Sequence, residues 1–131
     1  MIKSVYIAAP WAKKEYAGEI RKQCQDAGID VTSGWIDFPG DSHDVEVLKT
    51  EAKNDWNDVV RAEGFFLLNL QKRGEETSGK AVETGLALAY GKPIFMVGER
   101  SNVFQYLSQV RCYESVGAAI EGIKDYGNGL S

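Results

Sequence analysis

Two acidic residues inside predicted helices, Glu83 and Asp55, are the candidates for acid–base or nucleophilic chemistry. Small residues surround Glu83 in the sequence: Gly79, Ala81, Gly85 and Ala87. They leave room for a ligand to approach the carboxylate, although they serve equally well for tight packing of a helix on a sheet. Aspartate is unfavourable in a helix interior because its side chain competes for backbone hydrogen bonds. Asp55 therefore indicates either a functional role or a solvated helix face.

The segment 74–80, Gly-Glu-Glu-Thr-Ser-Gly-Lys, directly precedes and opens the helix that carries Glu83. Hydroxyl groups and free backbone amides at a helix N-terminus favour anion binding. Thr77, Ser78 and Gly79 are accordingly candidate ligand contacts. The alternative is that Thr77 or Ser78 only caps the helix. Neither the P-loop spacing nor GxGxxG occurs, so the common nucleotide-binding motifs are absent from the sequence.

Three aromatic residues lie in or after the first two predicted strands. Tyr6 lies within the first strand, where a core position is the simplest interpretation. Trp11 and Trp35 follow the ends of their strands, where an aromatic ring can stack on a ligand or cover the edge of the core. Ala9 precedes Trp11 in the first loop and is a candidate contact for the same ligand.

The elements that position these residues alternate between apolar strands and amphipathic helices. Apolar runs predict strands at residues 4–9, 29–32, 64–70, 94–97 and 110–113. Helical periodicity predicts helices at 13–27, 44–62, 78–90 and 115–126, with a short turn at 103–107. Loops are expected at 34–44 and 71–77. In the helix 44–62, Val45, Leu48, Ala52, Trp56 and Val59 are predicted to form the core-facing apolar stripe.

Strands that alternate with helices of this length predict an α/β fold with a parallel sheet covered on both faces. We expect residues 1–131 to form one domain, a doubly wound, flavodoxin-like sandwich with a five-stranded, mainly parallel sheet. In such sheets the ligand binds beyond the carboxyl ends of the strands. Residues 8–11, 35–42, 70–79 and 98–102 lie there, so the functional site is expected in those loops.

The composition argues against several classes of partner. With 15 basic and 19 acidic residues, the net charge is −4, which does not favour a nucleic acid polymer. The single histidine, His43, and the two distant cysteines do not form a zinc motif, and both thiols are expected to be buried and reduced. The sequence has no long apolar run and begins without a signal peptide pattern, so we expect a cytoplasmic protein without a membrane partner.

The sequence resembles the nucleoside 2-deoxyribosyltransferase family, including its branch of nucleotide N-hydrolases. The resemblance extends from VYIAAPW at residues 5–11 to SNVFQYL at residues 101–107. The most specific motif is SGKAVETGLALAYGKPIFMVG at residues 78–98, in which Glu83 matches the family's nucleophile. The segment NDWNDVVRAEGFFLL matches a helix and strand of the family, and it aligns Asp55 with the carboxylate that faces the nucleobase.

The resemblance implies a double displacement at C1′ without a metal or organic cofactor. Glu83 would attack C1′, and Asp55 would protonate or hydrogen-bond the leaving base. Tyr6 matches a tyrosine that orients the nucleophile, and Trp11 would border the base pocket. The loop with Ser101 and Asn102 would complete the site of a neighbouring subunit, which implies at least a homodimer. The alternative for Ser101 is that it only caps the short helix.

Two departures from the family concern the substrate. Thr77 replaces an aspartate that binds the sugar 5′-hydroxyl in nucleoside-using members, and a hydroxyl residue with Lys80 nearby favours a 5′-phosphate. The first loop, however, lacks the Ser/Arg/Gly-rich phosphate grip of the hydrolase branch. A third departure, Glu63 in place of an aspartate, is interpreted as structural. The sequence therefore favours a monophosphate substrate only slightly.

Two other functions remain open at this point. A nucleotide-binding or sensing module could keep this fold and lose the chemistry, although such a module would have no need of Glu83, Asp55 and Tyr6 together. A flavodoxin-like signalling domain fits less well, because the acidic pocket expected at the end of its first strand is absent from the sequence.

Overall fold

The computed structural model describes residues 2–40, 42–75 and 77–128, and its centre is a sheet of parallel strands. The strands are β1 (Ser4–Ala8), β2 (Asp30–Val31), β3 (Gly64–Leu68), β4 (Ile94–Val97) and β5 (Val110–Tyr113). Their order across the sheet is β2-β1-β3-β4-β5. The predicted α/β fold with a five-stranded parallel sheet is confirmed.

Three helices connect successive strands, α1 (Lys14–Asp26), α2 (Val45–Arg61) and α3 (Ser78–Ala89), and a fourth, α4 (Val116–Asp125), follows β5. Short 3-10 turns occupy Trp11–Lys13, Gly34–Asp37 and Val103–Tyr106. Strand and helix boundaries agree with the prediction to within about two residues. The segment 34–37, predicted as loop, forms a turn because Trp35 and Ile36 are both buried against the core.

The helix ends follow the capping residues in the sequence. The Asp44 side chain accepts hydrogen bonds from the backbone N–H groups of Glu46, at 2.8 Å, and Val47, which fixes the start of α2. Gly28 ends α1 with a φ of 83°, a left-handed conformation that glycine adopts without strain. These local signals explain why the helix boundaries were predictable.

The core lies on both sides of β1, β3 and β4, whose residues are almost all buried. Tyr6 and Phe65 are register partners on β1 and β3, and their rings stack with centroids 5.7 Å apart. Glu63 Oε1 accepts a hydrogen bond from the Lys3 backbone N–H at 2.8 Å. Glu63 therefore links the start of β1 to the start of β3.

No helix of the described residues has the length and hydropathy needed to cross a membrane.

The predicted apolar stripe of α2 is wrong for most of its members. Val45 is 62% exposed, Leu48 47% and Trp56 51%, and Val59 is the one fully buried residue of this helix. Residues 43–50 are all exposed, so the first half of α2 packs on little of the chain. Nearer the middle of α2, the half-buried positions 51 and 55 carry carboxylates instead of apolar side chains.

The two cysteines differ in environment. Cys24 is buried on α1, and burial raises the pKa of its thiol to about 12. Cys112 on β5 is exposed, which contradicts the expectation of two buried thiols. Its strand lies at the edge of the sheet, and the adjacent Arg111 is exposed as well.

Candidate active site

A cavity of about 280 Å³ opens beyond the carboxyl end of β1, between the start of α3 and the middle of α2. It collects residues from four separate segments of the chain. They are Ala9, Trp11, Trp35, Phe38, Glu51, Asp55, Gly79, Lys80 and Glu83. This is the edge of the sheet at which parallel α/β folds bind their ligands.

Glu83 is held at this cavity by a tyrosine of the central sheet. The buried Tyr6 hydroxyl donates a hydrogen bond to Glu83 Oε2. Burial raises the pKa of Glu83 to about 7, and the hydrogen bond from Tyr6 acts in the opposite direction. Burial and the neighbouring Glu83 charge both raise the pKa of Tyr6, so the phenol remains a donor. The hydrogen bond orients Glu83 Oε2, and the second carboxylate oxygen of Glu83 remains available to a ligand in the cavity.

Asp55 faces the same cavity from α2 and differs from Glu83 in protonation. Burial, a hydrogen bond with Glu51 and the charge of Glu83 raise the pKa of Asp55 to about 8. Its Oδ1 atom is buried and has no hydrogen-bond partner among the described residues. Around neutral pH, Asp55 therefore holds a proton while a large fraction of Glu83 is ionised. Two carboxyl groups in opposite states can supply a proton donor and a nucleophile.

Aromatic rings form the opposite wall of the cavity. The rings of Trp11 and Trp35 are tilted against one another, with centroids 5.9 Å apart. Trp35 is buried, and its Nε1 donates to the Ile7 carbonyl at 2.7 Å, which fixes its plane. Trp11 is 44% exposed and carries the Lys14 ammonium over its face at 4.6 Å. An accessible indole at this wall can stack on a planar ligand.

A second and larger cavity, of about 690 Å³, lies on the far side of the first turn of α3. It is lined by Gln71, Thr77, Lys80, Ala81, Thr84, Gly85, Leu88, Ala89, Ser101, Asn102, Phe104, Gln105, Leu107 and Gln109. Lys80 borders both cavities and is the residue that joins them.

A buried polar network holds Lys80 between the two cavities. Its ammonium donates to Asn69 Oδ1 and to Gln71 Oε1, the latter at 2.6 Å. The Asn69 amide donates in turn to Ser101 Oγ at 3.1 Å and to Gln105 Oε1 at 3.3 Å. Burial lowers the pKa of Lys80 to about 8. Both partners of the ammonium are neutral amides, so its positive charge is not balanced by a carboxylate in these contacts.

The structure separates the predicted site residues into two groups. The first group, around the 280 Å³ cavity, is Tyr6, Ala9, Trp11, Trp35, Asp55, Gly79 and Glu83. The second group, in the larger cavity, is Thr77, Ser101 and Asn102. Ser78 is exposed at the start of α3 and lines neither cavity. Within one chain, the second group does not surround Glu83.

The structure decides the capping alternatives for Thr77 and Ser101. Thr77 precedes α3 but its side chain makes no capping hydrogen bond. Asn102, and not Ser101, caps the 3-10 turn at Val103–Tyr106, because its Oδ1 accepts from the Phe104 N–H at 3.0 Å. Helix capping therefore explains the position of Asn102, but it does not explain the positions of Thr77 and Ser101.

Sequence reasoning missed two residues that line the 280 Å³ cavity, Phe38 and Glu51. Glu51 precedes Asp55 by four residues, and side chains at this spacing are neighbours on one helix face. That spacing was a usable signal. Phe38 lies in a loop without periodicity, and no sequence pattern indicates that its ring reaches the cavity.

The comparisons with known proteins agree with this geometry. A family model described as nucleoside 2-deoxyribosyltransferase matches residues 5–127, from β1 to beyond the end of α4. The chain belongs to the nucleoside 2-deoxyribosyltransferase family. The resemblance noted in the sequence is thereby confirmed, and with it the expectation of an enzyme that acts on the N-glycosidic bond of nucleosides or nucleotides. Among curated proteins, none matches this chain by sequence.

Solved structures share the nucleoside 2-deoxyribosyltransferase fold at low sequence identity. The 2-deoxyribosyltransferase of Bacillus psychrosaccharolyticus is 19% identical with a TM-score of 0.67, covering 87% of this chain and 88% of its own. The Clostridium botulinum CMP N-glycosidase BcmB is 18% identical with a TM-score of 0.59, covering 95% of this chain and 100% of its own. The solution structure of BlsM is 18% identical with a TM-score of 0.68, covering 99% and 96%.

Proposed function

We propose that this enzyme cleaves the N-glycosidic bond of a 2′-deoxynucleoside or its 5′-monophosphate through a covalent glycosyl-Glu83 intermediate. The sugar then passes to a second base or to water. One observation supports the proposal above all: a carboxylate oriented by a hydrogen bond and a protonated carboxyl line the same cavity. Tyr6 orients Glu83, and Asp55 lies opposite on α2.

In the first step, a Glu83 carboxylate oxygen forms a bond to C1′ while the bond from C1′ to the base nitrogen breaks. The electron pair of that bond stays with the base, and the Asp55 proton moves to a base nitrogen, so a neutral base departs. The indole of Trp11 covers the face of the base. Glu83 loses its negative charge in this step because it becomes an ester.

In the second step, a nitrogen of another base, or water, attacks C1′ and the bond from C1′ to Glu83 breaks. The attacking group gives its proton to the Asp55 carboxylate, which restores both starting carboxyls. Transfer and hydrolysis differ only in which nucleophile enters the cavity. All proton transfers in this scheme are carried by residues of the chain, so it needs no cofactor.

The preference for a 5′-monophosphate is supported by Thr77 and Lys80. The Thr77 side chain makes no capping hydrogen bond, and both residues line the larger cavity next to the sugar site. The Lys80 ammonium is held by two neutral amides. A cation at the N-terminal turn of a helix, here without a carboxylate partner among the described residues, favours a phosphate over a neutral hydroxyl.

We also propose that the enzyme works as a homodimer or higher homo-oligomer with shared active sites. Apolar side chains are exposed along α2 and the adjacent α3, including Leu48, Trp56 and Val82. Ser101 and Asn102 line the larger cavity of their own chain and not the 280 Å³ cavity that contains Glu83. A symmetric contact would cover the apolar side chains and allow this loop to approach the partner's site.

The test is chromatography of reactions with each deoxynucleoside and each deoxynucleoside 5′-monophosphate, with and without a second base. Base release from monophosphates without an acceptor identifies a hydrolase, and new nucleosides formed only with an acceptor identify a transferase. Glu83→Ala should lose turnover by at least about a thousandfold, because the covalent path is removed. Glu121→Gln, an exposed change on α4, should keep full activity.

The substrate preference has its own comparison. Lys80→Met should lower kcat/KM about tenfold for monophosphates and little for nucleosides, since a charge-assisted contact is lost only with the phosphate. Lys53→Met removes the same charge from an exposed position and is the control. If wild type and Glu83→Ala bind nucleotides equally well and neither releases a base, the chain is a binding module and the proposal is wrong.

A further inference from the structure

Helix α2 presents two carboxyls to the active-site cavity, although the reaction proposed above uses only Asp55. Glu51 lies one helical turn before Asp55 and lines the same 280 Å³ cavity. Side chains at this spacing are neighbours on one helix face, and an interaction with the Glu51 carboxyl is one of the causes, after burial, that raise the pKa of Asp55. A carboxylate is only an acceptor, so a hydrogen bond between two carboxyls requires that one of them carries a proton.

Among the described residues, one oxygen of Asp55 lacks a donor that would stabilise its charged form. Asp55 Oδ1 is buried and has no hydrogen-bond partner among the described residues. A buried carboxylate oxygen without a donor is costly, and the cost is avoided when the group is protonated. The pair is therefore built to hold one proton between its two carboxyls.

We propose that Glu51 is a positioning residue of this enzyme: it shares a proton with Asp55 across one turn of α2 and so keeps Asp55 a proton donor towards the leaving base. The inference rests on the proposed function for its role in the reaction. The shared proton itself is a property of the free protein and can be measured without substrate.

Other charged groups near Asp55 are engaged elsewhere. They are Asp58 on α2, Glu83 and Lys80 on α3, and Tyr6 on β1. Asp58 accepts hydrogen bonds from the Gly34 backbone at 3.0 Å and from Arg61. Glu83 accepts from Tyr6, and Lys80 donates to two amides. Glu51 lines the same cavity one helical turn from Asp55, and no hydrogen bond to another described residue engages its carboxyl.

The charge balance of the reaction fits such a pair. Before the reaction, Glu83 is negative and the pair of Asp55 and Glu51 holds one proton. After the base has left with the proton, Glu83 is an uncharged ester and both members of the pair are negative. The net charge of the three carboxyls is the same in both states. The second step returns a proton from the attacking group to the pair, ready for the next turnover.

The first experiment follows the carboxyl carbons of the free protein by NMR over a pH titration. In the wild-type protein, Asp55 should titrate at about pH 8. Glu51→Gln replaces the carboxylate by an amide that donates to Asp55, so Asp55 should titrate at least about one pH unit lower. Glu46→Gln removes the same charge from an exposed position of α2 and should change nothing. An unchanged Asp55 titration in Glu51→Gln overturns the shared proton.

The second experiment measures base release as a function of pH. In Glu51→Gln the falling limb of kcat/KM should move to lower pH by the same amount, which lowers activity at about pH 8 by at least about fivefold. A deoxynucleoside whose purine is methylated at N7 releases its base without taking up a proton, and its turnover should change less than about twofold. Equal losses on both substrates would mean a merely structural role and overturn the inference.

The two proposals fail in distinguishable ways. If the wild-type enzyme releases no base from any substrate, the proposed function is wrong, while the NMR titration still decides whether the pair shares a proton. If the wild-type enzyme is active and Asp55 titrates identically in both variants, the function stands and the role of Glu51 falls.

Discussion

The Tyr6 hydroxyl donates its hydrogen bond to Glu83 across 77 residues of sequence, from the central strand β1 to the first half of α3. The contact links the most rigid part of the core to the proposed nucleophile. Tyr6 is fully buried and stacks on Phe65, so its ring has no freedom to turn away. Glu83 is thereby aimed into the cavity before any substrate arrives.

Removal of this hydrogen bond should change the ionisation of the nucleophile. In Tyr6→Phe, Glu83 loses the donor that stabilises its charged form, so its pKa should rise by about one unit. The rising limb of the pH profile should move to higher pH, and kcat at neutral pH should fall about tenfold. Tyr90→Phe, at the exposed end of α3, is the control. An unchanged rising limb would contradict the orienting role of Tyr6.

Glu83 should make the protein less stable as the pH rises. Its folded-state pKa, about 7, lies above the usual value of 4.5, so the folded protein holds a proton that the unfolded chain has lost. The contribution is therefore fully favourable below about pH 4.5 and is lost as the pH rises through about 7. Glu83→Gln should exceed wild type in unfolding free energy by about 2 kcal/mol at about pH 8, measured by urea denaturation. Equal stabilities at that pH would contradict the buried-carboxyl assignment.

Gly40 should control the position of Trp11. It has a φ of 85°, and a Cβ there would lie 2.2 Å from the Trp11 ring. Gly40→Ala should therefore displace the indole and raise KM about threefold or more, with a loss of about 1 kcal/mol in stability. Gly74→Ala is a matched control, because Gly74 has a φ of 88° and nothing within 4 Å of its Cβ position. It should lose similar stability and keep its KM. Equal KM changes in both variants would contradict a role for Trp11 in binding.

The exposed side chains of α2 should hold the proposed oligomer together. Trp56→Lys places a charge on the apolar face and should weaken self-association at least about tenfold, as seen by sedimentation velocity. If the sites are shared, base release should fall with the oligomer fraction. Tyr16→Lys makes a similar change on α1, where the tyrosine is 39% exposed, and should leave association intact. A wild-type protein that sediments as a monomer at working concentrations would contradict the proposal.

Much of this fold was predictable because its signals are local. Asp44 and Gly28 mark helix ends through bonds and dihedral angles that involve only a few residues. The continuous apolar run from Gly64 specifies a strand buried on both faces, which requires a parallel sheet with helices. The motif around Glu83 carries the family resemblance, and the family model match at residues 5–127 confirms it.

Only the tertiary structure decided which face of a helix packs on the core. The apolar stripe of α2 was assigned to the core, yet Trp56 is exposed, whereas the carboxylates Glu51 and Asp55 are half-buried. Periodicity shows that residues share a face but not what that face contacts, because the contact involves elements far away in sequence. The same reason applies to three features of the site: the pairing of Tyr6 with Glu83, the position of Lys80 between the two cavities, and the raised pKa values of the carboxyls. Each depends on burial by distant segments, which only the folded chain brings together.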